Sequence, residues 1–163
     1  MKLASVNEIK EELLHLSQKD LLAFCMRLVK FKKDNKELMN YLLFQSDNQA
    51  LYLQQVKDEI TELFKEINKS NLYFAKKSLR KILRITNKYI KHTGSGQVEI
   101  ELLVHYCSTL QSSGIPFKKS TALNNLYLAQ VKKIDKALST LHEDLQYDYS
   151  KLVQQLHEYN SKK

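Results

Sequence analysis

Three glycines and one proline occur in 163 residues, and all four stand between positions 94 and 116. These are the residues that most disfavour a helix interior, so most of the chain carries nothing to stop a helix. Leu, Lys, Glu and Gln recur throughout and lose little side-chain freedom on becoming helical. The predicted fold is therefore all-α: six to eight helices in antiparallel pairs. They stack as a short HEAT/armadillo-like superhelical array or as an irregular helical bundle.

With 43% hydrophobic and 27% charged residues the composition is that of an ordinary globular protein. A chain of this length buries roughly 70% of the surface its unfolded form exposes, and it fits one domain over 1–163. Its formal charge of +8 draws polyanions but says nothing about fold.

Capping signals divide the chain. Ser5 with Glu8 has the spacing of a capping box and starts a first helix over about 6–16. Ser17 with Asp20 starts a second, whose Leu21, Leu22, Phe24, Cys25, Leu28, Val29 and Phe31 form a wide apolar surface, predicted to be central to the core. Arg27, Lys30, Lys32, Lys33 and Lys36 gather at its far end, where positive charge suits the helix dipole. Asp34 with Glu37 and Ser46 with Gln49 repeat the capping spacing for a third and a fourth helix. Asn71 opens a fifth, which Gly94 ends, and Ser95 caps a sixth.

Gly114-Ile115-Pro116 breaks the chain again, with a turn over 114–119. Beyond Ser120, Leu123, Tyr127, Val131, Ile134, Leu138, Leu141, Leu145, Tyr149, Leu152 and Leu156 recur every three or four residues. One uninterrupted rod would be roughly 57 Å long, so a break is expected near 140–144, where Thr140 and Glu143 have capping spacing. The run Leu28–Phe44 and the run Asn87–Tyr106 also share a pattern at an offset of about 60 residues, a basic helix followed by an aromatic one.

The stretch Leu72–His92, LYFAKKSLRKILRITNKYIKH, carries the strongest functional signal. No Asp or Glu occurs from Ile67 to Val98, whereas solvated helix faces usually interleave both signs. Ala75, Leu79, Ile82, Leu83, Thr86 and Ile90 define one side, and Lys77, Lys81, Arg84 and Lys88 the other. The candidate contact residues are Lys77, Arg80, Lys81, Arg84, Lys88 and Lys91. Three readings are open: a solvated face or one paired with Asp58, Glu59, Glu62 or Glu66; a phosphate-backbone contact; or a site for an acidic protein.

Motifs that specify chemistry do not stand out. His15, His92, His105, His142 and His157 are scattered, and His105 and Cys107, two apart, point in different directions on a helix. His142-Glu143-Asp144 lacks the second His of a zinc-protease motif. HTGSGQ lacks the GK[ST] ending of a phosphate loop and reads as a helix-to-helix turn, and there is no GxSxG elbow. Glu99 and Glu101 are two apart and suggest no acid/base pair. Cys25 and Cys107 are expected to be reduced, buried thiols. Charges interrupt the apolar run a signal peptide would need, and no stretch of about 18 apolar residues occurs, so the expectation is a bacterial-type cytoplasmic protein with no membrane span.

The segments Leu16-Ser17-Gln18-Lys19-Asp20-Leu21, Asn35-Lys36-Glu37-Leu38, Ala75-Lys76-Lys77 and Glu101-Leu102-Leu103-Val104-His105-Tyr106 together resemble a family of small uncharacterised bacterial all-helical proteins over about residues 5–110. That resemblance implies no activity and no site residues. The functional expectation is a non-catalytic module that presents a helical surface to a protein partner. Nucleic-acid binding through the basic helix 72–92 is the alternative. No enzyme activity, cofactor, metal or small-molecule substrate is inferred.

Overall fold

The computed structural model describes residues 2–161, with side chains described through Tyr159. The described residues form eight α-helices and one short 3-10 turn, with no strand. The helices are α1 (Val6–Leu14), α2 (Gln18–Phe31), α3 (Lys33–Phe44), α4 (Gln49–Lys65), α5 (Leu72–Thr93), α6 (Gly96–Ser112), α7 (Thr121–Leu138) and α8 (Glu143–Ser161); the 3-10 turn is Phe117–Lys119. None is long and apolar enough to cross a membrane. The chain divides into two compact units, Met1–Ser46 and Asp47–Lys163.

The first unit holds α1, α2 and α3. The Ser5–Glu8 capping box forms in full: Glu8 N–H donates to the Ser5 hydroxyl, and Ser5 N–H donates to the Glu8 carboxylate at 2.6 Å. Ser17 caps α2 as expected. The α2–α3 junction departs from expectation, because Asp34 and Glu37 make no cap. A single extended residue, Lys32, separates the helices, and the Asn35 amide donates to the Leu28 carbonyl at 2.8 Å across the turn. The two helices pack on each other. Yet α2 has no buried residue and α3 has only Tyr41, so the expectation that the second helix is central to the core is wrong. Its apolar arc is wider than one neighbouring helix can cover. Cys25 lies on that uncovered surface and is exposed, against the expectation of a buried thiol; Cys107 is buried as expected.

The second unit has the core, and its centre is α6. Val98, Ile100, Leu102, Leu103, Tyr106, Cys107 and Leu110 point all around that helix and are all buried, because α4, α5, α7 and α8 pack about it. Side-chain pairings give the directions. Tyr52 at the start of α4 meets His92 at the end of α5, so these two are antiparallel. Lys57 meets Glu101 and Thr61 meets His105, so α4 and α6 run parallel with α5 reversed beside them. The buried hydroxyls find partners: Tyr106 donates to the Leu79 carbonyl at 3.1 Å, and Tyr127 donates to the Leu156 carbonyl at 3.0 Å.

The loops match the local chemistry. Gly94 ends α5 in the left-handed region, at φ 61°, which a residue with a Cβ adopts only at a cost. Ser95 then caps α6, accepting from Val98 N–H, so HTGSGQ is a turn. The tail breaks where expected, between Leu138 and Glu143, but Thr140 does not cap α8. Its hydroxyl donates backward to the Ala137 carbonyl at 2.7 Å and closes α7 instead.

Candidate macromolecular interfaces

The basic face of α5 is a direct product of its sequence. At about 100° per residue, Lys77, Arg80, Lys81, Arg84, Lys88 and Lys91 fall within an arc of roughly 100°. Opposite them lie Ala75, Leu79, Ile82, Thr86 and Ile90, all buried. Lys77, Arg80, Lys81, Arg84 and Lys91 are exposed and Lys88 is half-buried. The Lys77 ammonium lies 4.6 Å from the Tyr73 ring centroid and that of Lys88 lies 5.1 Å from the Tyr89 ring centroid, so two of the cations rest on aromatic faces of their own helix.

The carboxylates of α4 have partners of their own, one of them on α5. Asp58 accepts from Gln54 at 2.8 Å, Glu59 accepts from the Tyr89 hydroxyl at 2.6 Å, and Glu62 pairs with Lys65 at 2.6 Å. Among the described residues no ion pair holds Arg80, Lys81, Arg84 or Lys91.

A polar cluster that sequence reasoning passed over joins α4, α6 and α8. The Lys57 ammonium donates to Glu101 at 2.8 Å, the Tyr149 hydroxyl donates to the other Glu101 oxygen at 2.7 Å, and the Gln97 amide donates to Tyr149 at 3.0 Å. Burial raises the Glu101 pKa, but the Lys57 and Tyr149 hydrogen bonds and the Lys57 charge outweigh it, leaving the carboxyl below the usual carboxylate value. Burial, with Glu101 as the acceptor of its proton, pushes the Tyr149 hydroxyl up to about 12. One turn on, His105 Nε2 lies 3.0 Å from the Lys57 carbonyl and 2.9 Å from the Thr61 hydroxyl. A carbonyl only accepts, so Nε2 carries the proton. Burial lowers the His105 pKa and the nearby Lys57 charge adds to this, against the Lys57 carbonyl bond and Asp58.

This cluster borders a cleft of about 370 Å³ between the first turns of α4 and α6, lined by Gln49, Leu53, Gln54, Lys57, Gln97 and Glu101 among others. Glu101 is already taken by two donors, so the arrangement works as a clamp on three helices. Its sequence signal was Glu101 and His105, four apart in an otherwise apolar run. The described residues contain no group of three His, Cys, Asp or Glu side chains able to hold a metal. Cys107 has its thiol pushed up to about 12 by burial.

The third feature is apolar. Val6, Phe31 and Phe44 are 82%, 81% and 76% exposed, and Leu14, Leu22, Leu28 and Leu43 are more than half exposed, all within residues 1–46. Soluble chains rarely present this many large apolar side chains over so short a length without a use for them. No family model, curated protein or solved structure matches the chain.

Proposed function

We propose that this protein is a non-catalytic binding module whose first 46 residues present an apolar helical surface to a protein partner. The observation that supports this most is the concentration of exposed large hydrophobics on α1, α2 and α3, where Tyr41 is the one buried hydrophobic side chain among the described residues, whereas the second unit buries most of its large hydrophobics. Burial of apolar side chains is the main favourable term in protein association, and a large exposed apolar patch marks an interaction surface. The clamp at Lys57, Glu101 and Tyr149 ties α4, α6 and α8 together, with Glu101 accepting from both partners.

A second reading has its own support: Arg80, Lys81, Arg84 and Lys91 are exposed and lack ion-pair partners among the described residues, in an arrangement suited to a phosphate backbone. The two readings separate in one set of experiments. A photo-crosslinking p-benzoylphenylalanine in place of Phe31 is expected to form a covalent protein adduct in cells, and the same probe in place of the exposed Tyr147 is not. Absence of an adduct at Phe31 overturns the protein-binding reading. If the chain instead binds random oligonucleotides, with affinity that falls steeply with salt and is lost in the folded Arg80→Glu/Arg84→Glu/Lys88→Glu variant, the polyanion reading stands.

A further inference from the structure

We infer that residues 1–46 pair with the same residues of a second copy of this chain, α1 of each protomer lying on the α2–α3 hairpin of the other. This names the partner in the protein-binding reading and rests on it. The first argument is the state of α1. All nine of its residues are exposed, although Val6, Ile9 and Leu13 form an apolar stripe at helical spacing and the helix is opened by a complete capping box. A helix of nine residues does not hold in water unaided, so the stripe and the cap make sense only against a covering surface.

The second argument is area. Fourteen large apolar side chains between Leu3 and Phe44 are at least 37% exposed. At roughly 100 Å² each they present on the order of 1,000 Å², and a stable interface takes about 800 Å² from each partner.

The third argument is charge. The α1 helix carries Glu8, Glu11 and Glu12 against one Lys10, while Arg27, Lys30, Lys32 and Lys36 surround the α2–α3 junction with no ion pair among the described residues. The unit thus carries an acidic apolar helix and a basic apolar hairpin, the two halves of one complementary contact. Two-fold pairing makes that contact twice, which a single acidic partner would not require.

The test is sedimentation of the full chain across a concentration series of about 1 to 100 µM. The expected result is a dimer of twice the chain mass, with pairing weakened at least tenfold by Glu11→Lys/Glu12→Lys and equally by Arg27→Glu/Lys30→Glu. An equimolar mixture of these two variants is expected to recover dimer as a mixed pair. All four positions are exposed, so both variants keep the fold, which circular dichroism checks. Dimer that ignores both charge reversals overturns the geometry proposed. Monomer throughout, with a Phe31 crosslink to a different protein, overturns self-pairing and leaves the binding reading standing. Monomer throughout with no Phe31 adduct ends both.

Discussion

Residues 1–46 and residues 47–163 are built from the same kind of part, capped helices with an apolar side, and they reach opposite outcomes. In the first, Tyr41 is the one hydrophobic side chain that is buried among the described residues. In the second, Ile60, Leu79, Ile100, Leu102, Leu103, Tyr106, Leu110 and Ile134 are all fully buried. An apolar stripe shows that a helix face needs cover; it does not show whether the cover comes from the same chain. The difference arises from the number of neighbours available, since α6 has four helices around it and α2 packs chiefly on one.

Dividing the chain gives the largest expected effect. Residues 47–163, expressed alone, are expected to unfold cooperatively with helical circular dichroism undiminished per residue, because their core is complete. Residues 1–46 alone, diluted to low micromolar concentration, are expected to lose most of their helix, since short helices without a packed face are marginal in water. A sharp thermal transition in the monomeric 1–46 fragment would erase the contrast between the two units.

Paired substitutions sharpen it at single residues. Leu103→Ala removes a side chain with no exposed surface from α6 and is expected to cost about 2 to 5 kcal/mol of unfolding free energy. Leu43→Ala, at a position 62% exposed on α3, is expected to stay within about 0.5 kcal/mol in monomeric protein. Denaturant titration of both variants checks the ratio. Equal losses would mean that α3 is covered in solution.

The helix content and most of the boundaries were legible because they depend on local chemistry: the capping box at Ser5, the caps at Ser17, Asn71 and Ser95, and the left-handed Gly94. The amphipathic split of α5 was legible for the same reason, as its faces follow from spacing alone. What escaped depends on which helices meet. The apolar content of α2 suggested a core helix, and only packing shows that α6 holds that place. Glu101 appeared idle beside Glu99, and its partners Lys57 and Tyr149 lie 44 and 48 residues away. Helical spacing carries no information at such separations.

The smallest expected effect concerns pH, and it tests whether the clamp belongs to the well-packed unit. The folded-state pKa values of His105 and Glu101 are both lowered from the ordinary 6.5 and 4.5. In each case the unfolded chain takes up its proton more readily than the folded one. Stability from each group is therefore present above its unfolded value and is lost as pH falls through the folded value. His105 acts first, below about 6.5, because a second proton would place a cation in a half-buried site already beside Lys57; Glu101 follows below about 4.5, as protonation removes the acceptor shared by Lys57 and Tyr149. Unfolding of residues 47–163 followed at pH 7.5, 5.5 and 4 is expected to show both losses. His105→Gln, which keeps an N–H for the Lys57 carbonyl and cannot gain a charge, is expected to flatten the upper window and leave the lower one. An unchanged slope between pH 7.5 and 5.5 in that variant would show that the loss comes from elsewhere.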